Sequence, residues 1–109
     1  MESNDAIATL GALAQPTRLA VFRLLVQHEP EGLPAGEIAR ALDVPQNTLS
    51  SHLAILTQAG LLTSERRSRM IIYRVDLAAM NRLVAYLLEN CCKGEACLPD
   101  ILGSLKSCA

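Results

Sequence analysis

The sequence predicts a mainly α-helical domain carrying a small β-hairpin, and three observations support this. Half of the 109 residues are apolar, yet Phe and Tyr together number three and Trp is absent, so the core must be aliphatic, as in helical proteins. Two short amphipathic segments, about 35–42 and 46–59, meet at Asp43-Val44-Pro45, which breaks the helix between them. Two strand-like segments follow at once, joined by Arg66-Arg67-Ser68-Arg69. Two short helices on a tight turn form a helix-turn-helix, and a basic-tipped hairpin directly after them is a wing. The expected fold class is therefore a winged helix-turn-helix.

The elements read in order as follows. Ser3 or Asn4 can cap a first helix that carries Ile7, Leu10 and Leu13 at helical spacing. Pro16 suits the first turn of a second helix, where its missing N–H is not needed. That helix runs to about Val26 with Leu19, Phe22 and Leu25 on one face. His28 to Gly36 reads as a loop from its Pro and Gly content. The helix at about Ala35–Leu42 turns Ile38, Ala39 and Leu42 inward, and the next, from Gln46 to Ala59, buries Leu49, Leu53 and Leu56. Gly60 stands where a left-handed residue should end it.

The strands are expected at Leu61–Glu65 and Met70–Val75. Asp76 can cap a last long helix, about Leu77–Cys91, with an apolar stripe of Leu77, Met80, Leu83, Val84, Leu87, Leu88 and Cys91. So wide a stripe on a terminal helix needs a partner surface, and in so small a domain a twin subunit is expected to provide much of it. The chain divides into residues 1–92, a DNA-binding and dimerisation domain, and 93–109, a tail with little periodicity.

The net charge of −1 is not that of a bulk nucleic-acid binder. Its distribution says more: Arg66, Arg67, Arg69 and Arg74 form the densest positive cluster, and a local patch is what makes a DNA footprint. The second helix of the pair opens with Gln46, Asn47, Thr48, Ser50, Ser51 and His52. A recognition helix offers such polar residues to the major groove, where Gln and Asn suit the adenine edge and Ser and Thr serve bases or phosphates. The segment from Gln46 to Ala59 contains no charged residue, so affinity must lean on backbone contacts elsewhere, chiefly Arg66, Arg67 and Arg69. His52 fits a phosphate contact or a packing role; His28 reads as solvated.

The N-terminal MESNDAIA is acidic and polar, unlike a signal peptide, and no apolar run is long enough to span a bilayer. The cytoplasm is the expected location, and there clustered thiols are metal-binding or redox-active more often than structurally bridged. Three of the four cysteines, Cys91, Cys92 and Cys97, stand together just past the last helix. A thiol cluster attached to a DNA reader suggests a switch. Neither histidine lies near the cluster in sequence to serve as a base, so catalysis is not expected.

The segments LAQPTRLAVFRLL, GEIARALDVPQNTLSSHLAILTQAGLL and ERRSRMIIYRVD together resemble the ArsR/SmtB family of winged-helix repressors, over about residues 6–92. The resemblance implies a homodimer paired through its first and last helices, bound to double-stranded operator DNA and released by an inducer. One familiar arsenic site of the family is a Cys-X-Cys at the start of the first helix of the DNA-reading pair; here that place reads Leu33-Pro34-Ala35-Gly36. A familiar zinc, cobalt or nickel site uses Asp and His along the last helix, and LAAMNRLVAYLLEN has no His. Cys91, Cys92 and Cys97 instead look like the arsenic-responsive subgroup whose thiols follow the last helix.

Trivalent arsenic is a soft, three-coordinate centre for which thiolate is the natural ligand. Arsenite is thus the expected inducer, antimonite fits the same sulfurs, and methylated arsenic needs only two of them. Other readings stay open. Cys108 could join the three in a structural zinc site, although adjacent cysteines are an awkward zinc pair. A Cys92–Cys97 or Cys97–Cys108 disulfide would make a redox sensor. Cys91 could also belong simply to the apolar stripe.

Overall fold

The computed structural model describes residues 2–89, in which five helices surround a small three-stranded sheet. The order is α1 (Ser3–Leu13), α2 (Pro16–Gln27), β1 (Leu33–Pro34), α3 (Ala35–Leu42), α4 (Gln46–Gln58), β2 (Leu62–Arg67), β3 (Met70–Val75) and α5 (Leu77–Leu87). The fold is a winged helix-turn-helix, as expected.

Helix α1 departs from the expectation at both its cap and its face. Ser3 and Asn4 already lie at the helix start, and the capping position is Glu2, whose amide donates to Asp5 Oδ2 at 3.3 Å. The buried residues are the small ones, Ala6, Thr9 and Ala12, which let α1 pack closely, whereas Ile7 and Leu10 face outward. Thr9 is buried but satisfied, its hydroxyl donating to the Asp5 carbonyl at 2.9 Å.

Helix α2 begins with Pro16 at its first turn, and Gln15 caps it by accepting the Arg18 amide at 2.8 Å. Val21, Phe22 and Leu25 are buried; Leu19, expected inward, is 45% exposed because Val21 takes the inner face instead.

The helix-turn-helix closes through two matching caps. At the end of α3, Val44 donates to the Ala39 carbonyl at 3.0 Å and Asp43 to Arg40 at 3.4 Å, with Asp43 left-handed at φ 54°. At the end of α4, Leu61 donates to Leu56 and Gly60 to Thr57, both at 3.0 Å, with Gly60 at φ 83°. Each is a Schellman arrangement, which occupies the last helical carbonyls and sends the next apolar residue inward. Leu61 is fully buried and Val44 packs on the core.

The core joins Val21, Phe22 and Leu25 of α2 to Ile38 and Ala39 of α3, Leu49, Leu53 and Leu56 of α4, and Leu61, Leu62 and Val75 at the sheet's base. Each large aliphatic side chain removed from water here contributes about 1.5–3 kcal/mol before entropy is counted. The expected inward residues of α3 and α4 are all in or against this cluster.

The sheet holds one strand that the periodicity of the chain does not announce. β1 lies inside the expected loop and pairs antiparallel with β3, Leu33 opposite Tyr73 and Pro34 opposite Ile72, giving the order β1-β3-β2. Two residues including a proline carry no alternation to read. β2 begins one residue later than expected and extends through Arg66 and Arg67, which pair with Ile71 and Met70. The hairpin tip is therefore only Ser68-Arg69, with Ser68 left-handed at φ 59°.

Asp76 caps α5 as expected, accepting the Ala79 amide at 3.2 Å. α5 ends at Leu87 rather than Cys91, since Glu89 donates to Tyr86 in a closing turn. Among the described residues of its apolar stripe only Leu83 is buried. Cys91, Cys92, Cys97 and Cys108 lie outside the described residues.

Candidate nucleic-acid interface

Helix α4 is anchored by Leu49, Leu53 and Leu56, so the 3.6-residue repeat fixes its opposite side as a surface. Asn47, Ser50, Ser51 and Ala54 fall on one exposed line at i, i+3, i+4 and i+7. Gln46 and Thr48 are exposed beside it, and His52 is half-buried. Asn47, Ser50 and Ser51 thus share one exposed side at the start of α4, with Gln46 and His52 on its two flanks.

Some of their hydrogen-bonding capacity is already committed. Asn47 Oδ1 accepts the Thr48 amide at 3.0 Å, which uses one of its two lone pairs. Ser50 Oγ donates to the Asn47 carbonyl at 3.0 Å, so this hydroxyl presents lone pairs outward. The first-turn amides of Gln46 and Asn47 are without intrahelical partners, as at any helix start, and face the side where a phosphate is favoured. The Gln46 side chain lies back across α3, its Nε2 standing 3.0 Å from where a Cβ on Gly36 would be. It links the two helices.

His52 does not reach outward freely. Its Nδ1 stands 3.4 Å from Nη1 of Arg18 on α2.

The wing arginines divide between three directions. Strand residues alternate faces, so Arg66 and Arg67 project to opposite sides of the hairpin, while Arg69 sits in the turn. Arg67 pairs with Glu65 on its own face at 3.2 Å, and both are more than half exposed. The expected basic tip is thus not one cluster. A further arginine enters instead: Arg40 of α3, held by Glu37 at 2.9 Å, lines a groove of about 450 Å³ together with Gln46, Arg69, Met70 and Tyr73. This groove separates α4 from the wing, with Arg40 and its partner Glu37 on one wall and Arg69 on the other. Arg74, counted with the wing cluster in the sequence, is turned away and stands 3.5 Å from Glu29.

A family model described as a helix-turn-helix domain matches residues 13–65. The chain is 35% identical over 93 residues to the biofilm growth-associated repressor of Agrobacterium fabrum, covering 85% of this chain and 77% of that protein. It is 31% identical over 90 residues to the HTH-type transcriptional regulator YgaV of Escherichia coli, covering 83% and 89%. The solved structure of an ArsR-like transcriptional regulator from Rhodococcus sp. RHA1 superposes with a TM-score of 0.70 at 26% identity, covering 97% of this chain and 93% of that one. The chain belongs to the ArsR/SmtB family of helix-turn-helix transcriptional regulators.

As an ArsR/SmtB regulator it is a DNA-binding protein and not an enzyme. Among the described residues no helix is long and apolar enough to cross a membrane. Sequence reasoning missed Arg40 and Arg18. Arg40 carried no signal beyond its charge, whereas Arg18 sits inside the family-like segment PTRL without a local hint of its partner 34 residues away.

Proposed function

We propose that this ArsR/SmtB regulator is a homodimeric repressor that holds operator DNA until trivalent arsenic binds Cys91, Cys92 and Cys97. The observation that carries the reading is where the thiols stand. All four cysteines follow α5 in the sequence, and three of them fall between positions 91 and 97. Among the described residues no three His, Cys, Asp or Glu side chains gather in a way that could hold a metal. The start of α3 offers Leu33-Pro34-Ala35-Gly36 and α5 contains no His, so neither alternative inducer position has ligands.

Arsenite would exchange its three hydroxyl groups for three sulfurs, each thiol giving up its proton to release one water. Arsenic stays trivalent throughout, and no oxidant is consumed. Antimonite would react in the same way.

The dimer is supported by what one subunit leaves uncovered. Ile7 and Leu10 of α1 are 64% and 42% exposed, and Leu77 and Leu87 of α5 are 46% and 53% exposed. Helices α1 and α5 pack on each other, so these residues belong to neighbouring elements at one end of the chain's fold. A second copy covering them brings two α4 helices toward successive major grooves, about one helical turn apart. Gln46, Asn47, Thr48, Ser50, Ser51 and His52 then read bases and phosphates, and Arg66, Arg67 and Arg69 hold flanking backbone. Release follows only if arsenic binds the DNA-weak conformation better than the DNA-bound one.

The reading is tested by non-denaturing mass spectrometry of the reduced protein with arsenite. One arsenic per chain, with three protons lost, is expected, and Cys91→Ser, Cys92→Ser or Cys97→Ser should each remove that product. A two-thiol adduct that survives Cys97→Ser would assign the site to methylated arsenic. Purified protein carrying zinc, or a loss of two hydrogens with no arsenic uptake, would overturn the proposal in favour of structural zinc or a disulfide switch.

A further inference from the structure

We propose that Arg18 is a positioning residue for DNA reading, tying His52 of α4 to the carboxyl end of α1. This inference rests on α4 being the DNA-reading helix and is independent of the inducer.

Arg18 occupies the third position of α2, where its backbone amide is already held by Gln15. Its side chain then spends donors on two other helices. Nε donates to the Ala12 carbonyl at 2.6 Å and Nη2 to the Gly11 carbonyl at 3.5 Å, both at the end of α1. Nη1 stands 3.4 Å from His52 Nδ1 on α4. The last carbonyls of a helix lack intrahelical donors and carry partial negative charge, which suits a guanidinium. The planar fork of arginine reaches both ends at once, as a lysine's single ammonium cannot.

The consequence for His52 is chemical. An arginine has donors only, so a hydrogen bond between the two requires Nδ1 to accept. In that arrangement the ring proton is on Nε2, and His52 offers one donor of fixed identity. A single N–H donor is what a phosphate oxygen or a base acceptor requires. Ser50 and Ser51 beside it are exposed while His52 is half-buried, in keeping with a ring held back against α2. Because Arg18 also grips α1, which presents Ile7 and Leu10 outward, a displacement of α1 would move this donor.

The test combines a spectroscopic reading with affinity. Two-bond ¹H–¹⁵N correlation spectra of ¹⁵N-histidine-labelled protein report which nitrogen of His52 carries the proton. Fluorescence anisotropy on duplex DNA from upstream of the coding region reports binding. Wild type should show the Nε2–H tautomer. Arg18→Met should mix the tautomers and weaken binding about tenfold, close to the loss from His52→Ala. The double variant should lose little more than either alone, since the two act as one unit. If Arg18→Met does not fold, Arg18→Lys keeps a cation near α1 and carries the same test. Ser51→Glu, on the exposed face, is the control for the premise and should abolish binding. Binding retained in Ser51→Glu would overturn the premise. Binding lost there but unchanged in the Arg18 variants, or a His52 tautomer that ignores Arg18, would overturn the positioning role alone.

Discussion

Gly32 passes so close beneath Tyr73 that a Cβ on it would collide with the Tyr73 carbonyl oxygen and come within 2.5 Å of Arg74 Cγ. Its backbone is left-handed at φ 74°, and its amide donates to the His28 carbonyl at 2.8 Å. This glycine lets the loop after α2 turn back and lay β1 against β3. Gly32→Ala combines a steric clash with an unfavourable backbone conformation and should lower stability by about 3 kcal/mol. Thermal and urea unfolding of the two proteins checks this.

Asp43 presents the opposite case. It adopts φ 54° at the end of α3, a conformation that a side chain disfavours, and it places a carboxylate beside the carbonyls of a helix C-terminus. Asp43→Gly should therefore stabilise the domain by about 1 kcal/mol, visible as a higher Tm, with the Schellman hydrogen bonds kept.

These two positions show what local sequence could and could not convey. The stripe of Leu49, Leu53 and Leu56 was legible because α4 has one buried face and a proline and a glycine at its ends. In α1 the large residues misdirect: close packing selects Ala6, Thr9 and Ala12, and leaves Ile7 and Leu10 outside. β1 exists only through pairing with a strand some forty residues later, so its two residues hold no pattern of their own. The exposed polar row of α4 was legible from its order along the chain. The division of Arg66 from Arg67 depends on strand register, and the Arg18–His52 contact on tertiary packing, and neither appears in linear spacing.

Glu65 neutralises one arginine of the wing. Its pair with Arg67 is largely exposed and contributes little to stability. Glu65→Gln should leave the Tm almost unchanged and tighten DNA binding by up to about fivefold. Arg69→Ala should weaken binding to all sequences alike and reduce the salt dependence of affinity by about one unit of slope. Anisotropy titrations across a salt series measure both.

The apolar residues on the outer face of α1 bear on assembly. Ile7→Glu combined with Leu10→Glu puts two charges on a face that is already exposed in the single chain, so helix content should persist. Sedimentation velocity should show the mass of one chain in place of two, and operator affinity should fall with it. A variant that still sediments as a dimer would place the pairing surface elsewhere.

Arsenic on Cys91, Cys92 and Cys97 is proposed to release DNA. Fluorescence anisotropy of the reduced protein on duplex DNA from upstream of its coding region, titrated with arsenite, tests this release most directly. Anisotropy should fall to the free-DNA value in wild type and should not fall in Cys91→Ser or Cys97→Ser, with each variant binding DNA normally beforehand. Wild-type protein that stays on the DNA at saturating arsenite would contradict it.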